Sequence, residues 1–221
     1  MMELQPFTTE REWTVDGIPV LSAAISVPQP FPAADRAARR FHRYYQLQCR
    51  SYLRYCEKQL FPQARQEYRA ALANSAPLPL FRAELTYQIT YQDSRFLSLY
   101  TQTHETGPQQ TLTLRRGDTW NLTSGYPVPI SDFFPHHSPW KRQLLALAAE
   151  EIQRQERAGI ARYHDTWRKS IRRCFNPQNY YLTPEGLAFF FPMYALAPAI
   201  EGIPTFLMPY SHLSSNFLQP N

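Results

Sequence analysis

Three consecutive segments in the middle of the chain alternate polar and apolar residues at a period of two. They run from Phe81 to Gln92, from Ser94 to Glu105 and from Gln109 to Gly117, and Gln-Asp and Gly-Pro turn residues separate them. Strict alternation is typical of strands that bury one face of a sheet. The pattern therefore predicts an antiparallel meander with one covered face.

Helical periodicity flanks these strands on both sides. From Ala33 to about Leu60, aromatic and small side chains occupy one side of a 3.6-residue wheel and basic side chains the other, as in an amphipathic helix with a basic outer face. A kink is expected at Phe61-Pro62, after which the helical pattern continues to about Asn74. A second long helix is predicted from about Pro139 to about Phe175, with Gly159 as the point at which it could break.

One more extended segment is expected before the first helix. Thr14 to Pro30 follows a polar leader, carries β-branched residues and ends in a proline cluster, so it is predicted to form a hairpin or an edge strand. The resulting fold class is α+β, with two long helices covering one face of an antiparallel sheet. We expect that sheet to contain the first strand, the central meander and the strands of a C-terminal hairpin. Since neither an internal repeat nor a low-complexity linker is visible, we expect one compact domain over residues 1–221, with halves at 14–120 and 121–221.

The stretch from Asn179 to Pro198 combines a Thr-Pro-Glu-Gly turn with a run of aromatic residues. Proline pre-sets φ and glycine closes such a turn, so a hairpin is predicted, with a further short strand beside it between Gly202 and Leu213. The aromatic residues are either a core or a ligand platform, and the scarcity of charge in this part of the chain favours a core. We therefore expect buried side chains at five positions: Tyr181, Leu187, Phe189, Phe191 and Phe206.

The same stretch resembles a known family. The order N-Y-Y-L-T-P-E-G-L-A-F-F-F from Asn179, followed by G-I-P-x-F-x-x-P-Y-S-x-L from Gly202, resembles the C-terminal signature of DUF3298, a family often preceded by a DUF4163 half. Weaker similarities occur upstream, at Ile25–Pro28, Ser98–Tyr100 and Ser124–Phe134. The structural signature residues are Tyr181, Gly186, Phe189, Pro198, Gly202, Pro209 and Tyr210.

The resemblance implies a function. DUF3298 modules resemble the extracellular domain of lysozyme-sensing anti-sigma factors and the accessory domain of a peptidoglycan deacetylase. The implied role is a non-catalytic binding or sensing module that contacts a protein or a cell-wall-derived ligand; the alternative is an accessory domain or hydrolase acting on cell-wall glycans. Family members often carry a glycine-rich loop with a histidine after the central tyrosine. This chain departs from that pattern, because Tyr100 is followed by Thr-Gln-Thr and His104 instead of the glycine-rich loop. Tyr100 and His104 are the candidate binding residues at this position.

The formal charge of +5 is concentrated on arginine, since only Lys58, Lys141 and Lys169 of the 23 basic residues are lysines. Four arginines on the outer face of the first helix are candidates for binding an acidic partner or an anionic polymer: Arg40, Arg43, Arg50 and Arg54. The alternative is a solvated face, and in either case these side chains and Arg36 should be exposed. Nucleic-acid binding is disfavoured because no helix-turn-helix, RNP or zinc signature accompanies the stripe.

Few residues in the sequence indicate a catalytic, metal-binding or redox site. The six histidines show no H-x-x-x-H or H-E-x-x-H spacing, and glycine-rich nucleotide motifs are missing, so we predict no catalytic residue, no metal and no cofactor. His136-His137 beside Asp132 forms only a weak metal candidate. Cys49 and Cys56 lie two helical turns apart, about 10 Å, which is too far for a disulfide and indicates buried free thiols.

Targeting signals are also missing from the sequence. The N-terminus is acidic where a signal peptide is basic and then apolar, and no later run reaches the length of a membrane span. These features predict a cytoplasmic protein without a membrane span, whereas the family resemblance implies an extracytoplasmic one.

Overall fold

The computed structural model describes residues 2–32, 35–108 and 111–214. Two predicted boundaries, the first helix start at Ala33 and the third strand start at Gln109, lie outside these residues. The chain forms two compact units. Unit 1 consists of Met1–Tyr87, Thr101–Leu114 and Thr123–Tyr126, and unit 2 consists of Gln88–Tyr100, Arg115–Leu122 and Pro127–Asn221.

A long hairpin begins unit 1. Strand β1 (Leu4–Val15) pairs antiparallel with β2 (Ile18–Pro30), and Asp16 and Gly17 form the turn with φ of 52° and 77°. Two central residues with positive φ are what a twisted two-residue hairpin requires. The prediction of a hairpin or edge strand is confirmed, but the residues before Thr14 are a full strand and not a polar leader.

The amphipathic helix follows the hairpin as α1 (Arg36–Tyr55). Asp35 caps it, because the Asp35 carboxylate accepts a hydrogen bond from the Ala38 amide at 2.7 Å. A π-helical turn (Cys56–Leu60) leads directly into α2 (Phe61–Ala73). Pro62 cannot donate the usual backbone bond, and the wider turn just before it is where the helical ladder adjusts. The irregularity expected at Phe61-Pro62 thus takes the form of a π turn.

The first sheet has six strands in chain order, and its remaining members are β3 (Phe81–Gln92), β4 (Phe96–Thr106), β5 (Thr111–Asn121) and β6 (Tyr126–Pro127). Strands β2 and β3 run parallel, with Leu21–Ile25 beside Phe81–Leu85. The sheet is therefore mixed, and the prediction of a purely antiparallel sheet is wrong. Helices α1 and α2 supply the long crossover that parallel neighbours need.

Unit 2 contains the two later helices. The predicted second long helix is interrupted, since α3 (Trp140–Ala158) ends at Gly159, which adopts a left-handed conformation with φ of 66°, and α4 (Trp167–Cys174) begins eight residues later. Glycine commonly ends a helix in this way, because it has no Cβ to oppose positive φ. The prediction of one helix to Phe175 is wrong. The helix ends at Gly159, the residue at which the sequence indicated that it could break.

The C-terminal strands form a second sheet in the order β7 (Tyr180–Thr183), β8 (Gly186–Phe190) and β9 (Thr205–Pro209). The hairpin is confirmed, with Thr183 paired to Gly186, but the expectation that these strands join the main sheet is wrong. An added Cβ at Gly117 of β5 would lie 1.8 Å from the Tyr180 carbonyl oxygen. Since β5 already has β4 and β6 as hydrogen-bonded neighbours, β7 packs against its face instead of extending the sheet.

The aromatic stretch is the core of unit 2. All five side chains predicted to be buried are so, and Leu187, Phe189, Phe191 and Phe206 are at most 2% exposed. Phe189 contacts Phe206 and Phe191, with ring centroids 5.7 and 6.3 Å apart. The stretch is a core and not a ligand platform, and the α+β fold class is confirmed. Within the described residues, no helix is long and apolar enough to span a membrane.

Candidate functional site

The basic face of α1 is exposed with one exception. Arg36, Arg43, Arg50 and Arg54 are exposed as predicted. Arg40 is half-buried: its guanidinium lies 4.0 Å from the Tyr126 ring centroid and donates to the Ser124 carbonyl at 2.7 Å. The prediction of exposure is therefore wrong for Arg40, because this side chain holds Ser124, and Tyr126 at the start of β6, against α1.

A carboxylate is partly buried beside the same helix. Glu105 of β4 accepts hydrogen bonds from the Tyr55 hydroxyl at 3.0 Å and the Tyr52 hydroxyl at 3.5 Å. Burial raises the pKa of Glu105, and the two tyrosine hydrogen bonds partly oppose that shift. Burial and the nearby carboxylate raise the pKa of Tyr55 to about 12. The arrangement keeps the Tyr52 and Tyr55 phenols neutral at physiological pH.

Tyr100 and His104 belong to different units and have separate partners. Tyr100, in unit 2, lies 5.2 Å from the Tyr181 ring and 4.2 Å from the Arg115 guanidinium. His104, in unit 1, shares a 2.9 Å hydrogen bond with the Thr113 hydroxyl. Both side chains are half-buried and contribute to local packing. Their role as binding residues stays a prediction.

The cysteines and the histidine pair show no arrangement for chemistry. Cys49 and Cys56 are buried free thiols, as expected, and burial followed by the nearby Glu105 raises the pKa of Cys56 to about 12. A thiol with that pKa stays protonated at neutral pH. His136 and His137 are exposed, and among the described residues no three His, Cys, Asp or Glu side chains come together in a metal-binding group.

A groove in unit 2 gathers polar and aromatic groups that the sequence patterns did not connect. We call it the β5–α3 groove. It has a volume of about 480 Å³, and residues of β5, the segment 127–131, the first turn of α3 and the segment 177–180 line it. The groups of interest are Arg116, Asp118, Trp140, Lys141, Gln178 and Tyr180. The volume lies in the range of small-molecule sites.

The floor of this groove is a fixed polar cluster. Asp118 is 6% exposed and lies 3.5 Å from the Nε of Arg116, which is 56% exposed. The Tyr180 hydroxyl donates to the Val128 carbonyl, and burial raises the pKa of Tyr180, so the phenol stays neutral. Next to this floor, the Lys141 Nζ lies 5.3 Å from the Trp140 ring centroid.

The groove therefore presents two cations and an aromatic wall above a buried ion-paired carboxylate. Such a surface can bind a ligand that carries an anionic group and an apolar face. In the sequence, the groove was indicated only by three charged residues, Arg115, Arg116 and Asp118. They occur in a strand whose immediately following residues are buried. That signal alone could not indicate which other segments meet it.

Comparison with known proteins finds a family model that matches part of this groove. The family model of DUF3298, described as a protein of unknown function, matches residues 131–211. This part of the chain is similar to DUF3298. This region includes the α3 and 177–180 walls of the groove, whereas Arg116 and Asp118 lie before it. The predicted DUF3298 resemblance is confirmed.

Two solved structures show that the DUF3298 similarity extends to the fold of the whole chain. A DUF3298 family member from Bacteroides fragilis superposes with a TM-score of 0.73 at 15% identity, covering 98% of this chain and 95% of that one. A DUF3298 family protein from Pseudomonas aeruginosa gives 0.59 at 13% identity, covering 100% and 98%. At these identities the likeness concerns the fold alone. No curated protein matches this sequence.

Proposed function

We propose that this chain is a non-catalytic binding module of a bacterial cell-envelope or signalling type, and that the β5–α3 groove holds its ligand. The observation that carries the proposal is the combination of Arg116, Lys141 and Trp140 around a cavity of about 480 Å³. Convergent polar groups beside an apolar wall are typical of ligand sites. A soluble cell-wall fragment with a sugar face and a free carboxylate matches this lining.

The polar groups of the groove favour binding over hydrolysis of glycans. Glycosidases use a pair of carboxyl groups on either side of the scissile bond. Among the described residues that line the groove, Asp118 is the one carboxylate, and Arg116 holds it in an ion pair. Tyr180 is engaged with the Val128 carbonyl. The alternative, an accessory domain or hydrolase acting on cell-wall glycans, is therefore the weaker candidate.

A third candidate is the binding of an anionic polymer through the exposed arginines of α1. Arg43, Arg50 and Arg54 support it. Arg40 does not, because its guanidinium is already packed on Tyr126. Without Arg40, the basic face of α1 has fewer exposed arginines than the sequence indicated, which weakens this candidate.

Calorimetric titration with a soluble disaccharide-peptide from peptidoglycan tests the proposal. We expect saturable binding that Arg116→Gln weakens about tenfold, because one charge-assisted hydrogen bond is worth roughly 1.5–3 kcal/mol. Arg142→Gln is the control, since Arg142 is exposed and does not line this groove. A neutral oligosaccharide of the same length should bind more weakly than the acidic fragment.

Three results would count against it. Absence of saturable binding would remove the ligand assignment, and equal loss in both variants would reduce the effect to net charge. If the wild-type protein released a hydrolysed product, the result would support the hydrolase hypothesis and contradict the binding-module hypothesis. Thermal unfolding of each variant is measured alongside, because Arg116 also stabilises buried Asp118.

A further inference from the structure

A second groove of unit 2 lies between α3 and α4, and we call it the α3–α4 groove. Its volume is about 570 Å³. Apolar side chains form its floor, among them Leu145, Ala149, Trp167 and Ile171. Four cations stand around that floor: Lys141, Arg142, Arg168 and Arg172. Apart from Lys141, none of these residues lines the β5–α3 groove.

The four cations are exposed and lack acidic partners within the described part of the chain. The ion pairs found there involve Arg116 and Arg154 instead. No carboxylate lines the groove, and α4 itself contains four cations and no acid. Unpaired like charges repel one another, so the groove carries an uncompensated positive field.

Their position along the helices adds to that field. Lys141 and Arg142 lie in the first turn of α3, and Arg168 lies in the first turn of α4; neither turn contains an acidic residue. The positive end of a helix dipole favours anions and disfavours cations. The helix dipole therefore does not explain Lys141, Arg142 and Arg168, whereas Arg172 lies in the last turn of α4, where the dipole favours a cation. An anionic partner would be attracted by the four side chains and by the two helix N-termini together.

The apolar floor indicates which kind of anionic partner fits the α3–α4 groove. On α3 the lining residues Arg142, Leu145, Ala149 and Gln153 recur at intervals of three and four, which places them on one stripe. Twelve residues of helix span about 18 Å, the length of roughly three turns of a second helix. An amphipathic helix that lays its apolar face into a groove between two helices is a recurring mode of recognition.

Nucleic acid fits the groove less well. Stacking of bases needs exposed aromatic faces, but Trp167 is 2% exposed, and the Arg168 guanidinium already lies 4.5 Å from its ring centroid. A phosphate backbone would also leave the apolar floor in contact with water.

We propose that the α3–α4 groove binds an amphipathic helix of a partner protein, whose apolar stripe covers Leu145 and Ala149 and whose flanking Glu or Asp side chains pair with Arg142, Arg168 and Arg172. This proposal is independent of the ligand assigned to the β5–α3 groove. It makes the chain a docking module for an acidic helical segment.

The test uses the full chain and three fluorescent peptides. Each peptide has about 18 residues, or about five helical turns, which is longer than the groove of roughly three turns. The probe carries Leu and Ile at helical spacing with flanking Glu. The second peptide replaces each Glu by Gln, and the third keeps the composition of the probe but scrambles the apolar stripe. Fluorescence anisotropy gives the affinity, and circular dichroism shows whether the probe becomes helical when bound.

Two triple variants of equal charge change provide the matched comparison. Arg142, Arg168 and Arg172 to Gln removes the groove cations, and Arg43, Arg50 and Arg54 to Gln removes three exposed cations of α1. We expect the first variant to weaken probe binding at least about tenfold and the second to leave it within about twofold, because paired interface charges act locally. Binding should also weaken as salt rises.

Several outcomes would overturn the proposal. They are no saturable binding of the probe, equal binding of the Gln or scrambled peptide, and equal loss in the two triple variants. The proposal would also be wrong if single-stranded DNA or anionic lipid vesicles bound this groove more tightly than the probe does. The partner would then be a nucleic acid or a membrane and not a helix. Ala146→Glu, which places a negative charge on the exposed part of the floor, should abolish probe binding without unfolding the chain.

Discussion

Replacement of Phe189 by alanine should be among the most destabilising single changes in unit 2. Phe189 is 1% exposed and contacts Phe206 and Phe191. Loss of its burial alone costs roughly 1.5–3 kcal/mol. The space left by the ring adds a cavity term, because Phe206 is itself held in strand β9 and cannot move far into it. The total for such changes is about 3–5 kcal/mol.

Urea unfolding followed by circular dichroism measures this loss of free energy. The control is Leu207→Ala on the neighbouring strand β9, where the side chain is 41% exposed and the expected change is within about 0.5 kcal/mol. Phe189→Leu should fall between the two, since it keeps most of the apolar volume. A loss below about 1 kcal/mol for Phe189→Ala, with an unchanged m-value, would refute the assignment of this stretch as a packed core.

Three further changes test other parts of the structure. Gly117→Ala should destabilise by more than about 2 kcal/mol, because its Cβ would lie 1.8 Å from the Tyr180 carbonyl oxygen; an unchanged melting temperature would contradict this close approach. Burial raises the pKa of Glu105 above its ordinary value of 4.5, so the folded state holds that proton more tightly than the unfolded chain. This contribution to stability is complete below about pH 4.5 and is lost as pH rises through the raised pKa. Unfolding at several pH values should therefore show that Glu105→Gln becomes more stable relative to wild type as the pH rises above about 4.5, and a constant difference would argue against it. Arg40→Gln should lower stability by about 1 kcal/mol through the lost hydrogen bond and ring contact, whereas Arg43→Gln should change it by less than about 0.5 kcal/mol; equal effects in thermal melts would make Arg40 an ordinary surface residue.

The sequence by itself determined the local elements of this protein. The period-two alternation placed three strands, the 3.6-residue pattern placed α1, and the Thr-Pro-Glu-Gly turn placed the C-terminal hairpin. It also determined the aromatic core around Phe189 and the break at Gly159. These features follow from neighbouring residues, whose side-chain spacing and backbone preferences act within a few positions. Strand β1 was missed because its side chains are mostly exposed and show no clean alternation, although Asp16-Gly17 was a usable hairpin signal.

Only the tertiary structure decided which elements pair and which surfaces form. The parallel contact of β2 with β3 and the separation of β7, β8 and β9 into their own sheet depend on pairing between residues far apart in the chain. The local pattern specifies the neighbour of a strand where a tight turn joins the two strands, but not where the partners are far apart in the chain. The same holds for two side-chain arrangements that the sequence did not indicate. Arg40 is covered by Tyr126, and Arg116 and Trp140 line the same groove. A side chain's partners come from segments whose meeting is fixed by packing over the whole fold, so charge and periodicity could indicate an exposed helix face but not its contacts.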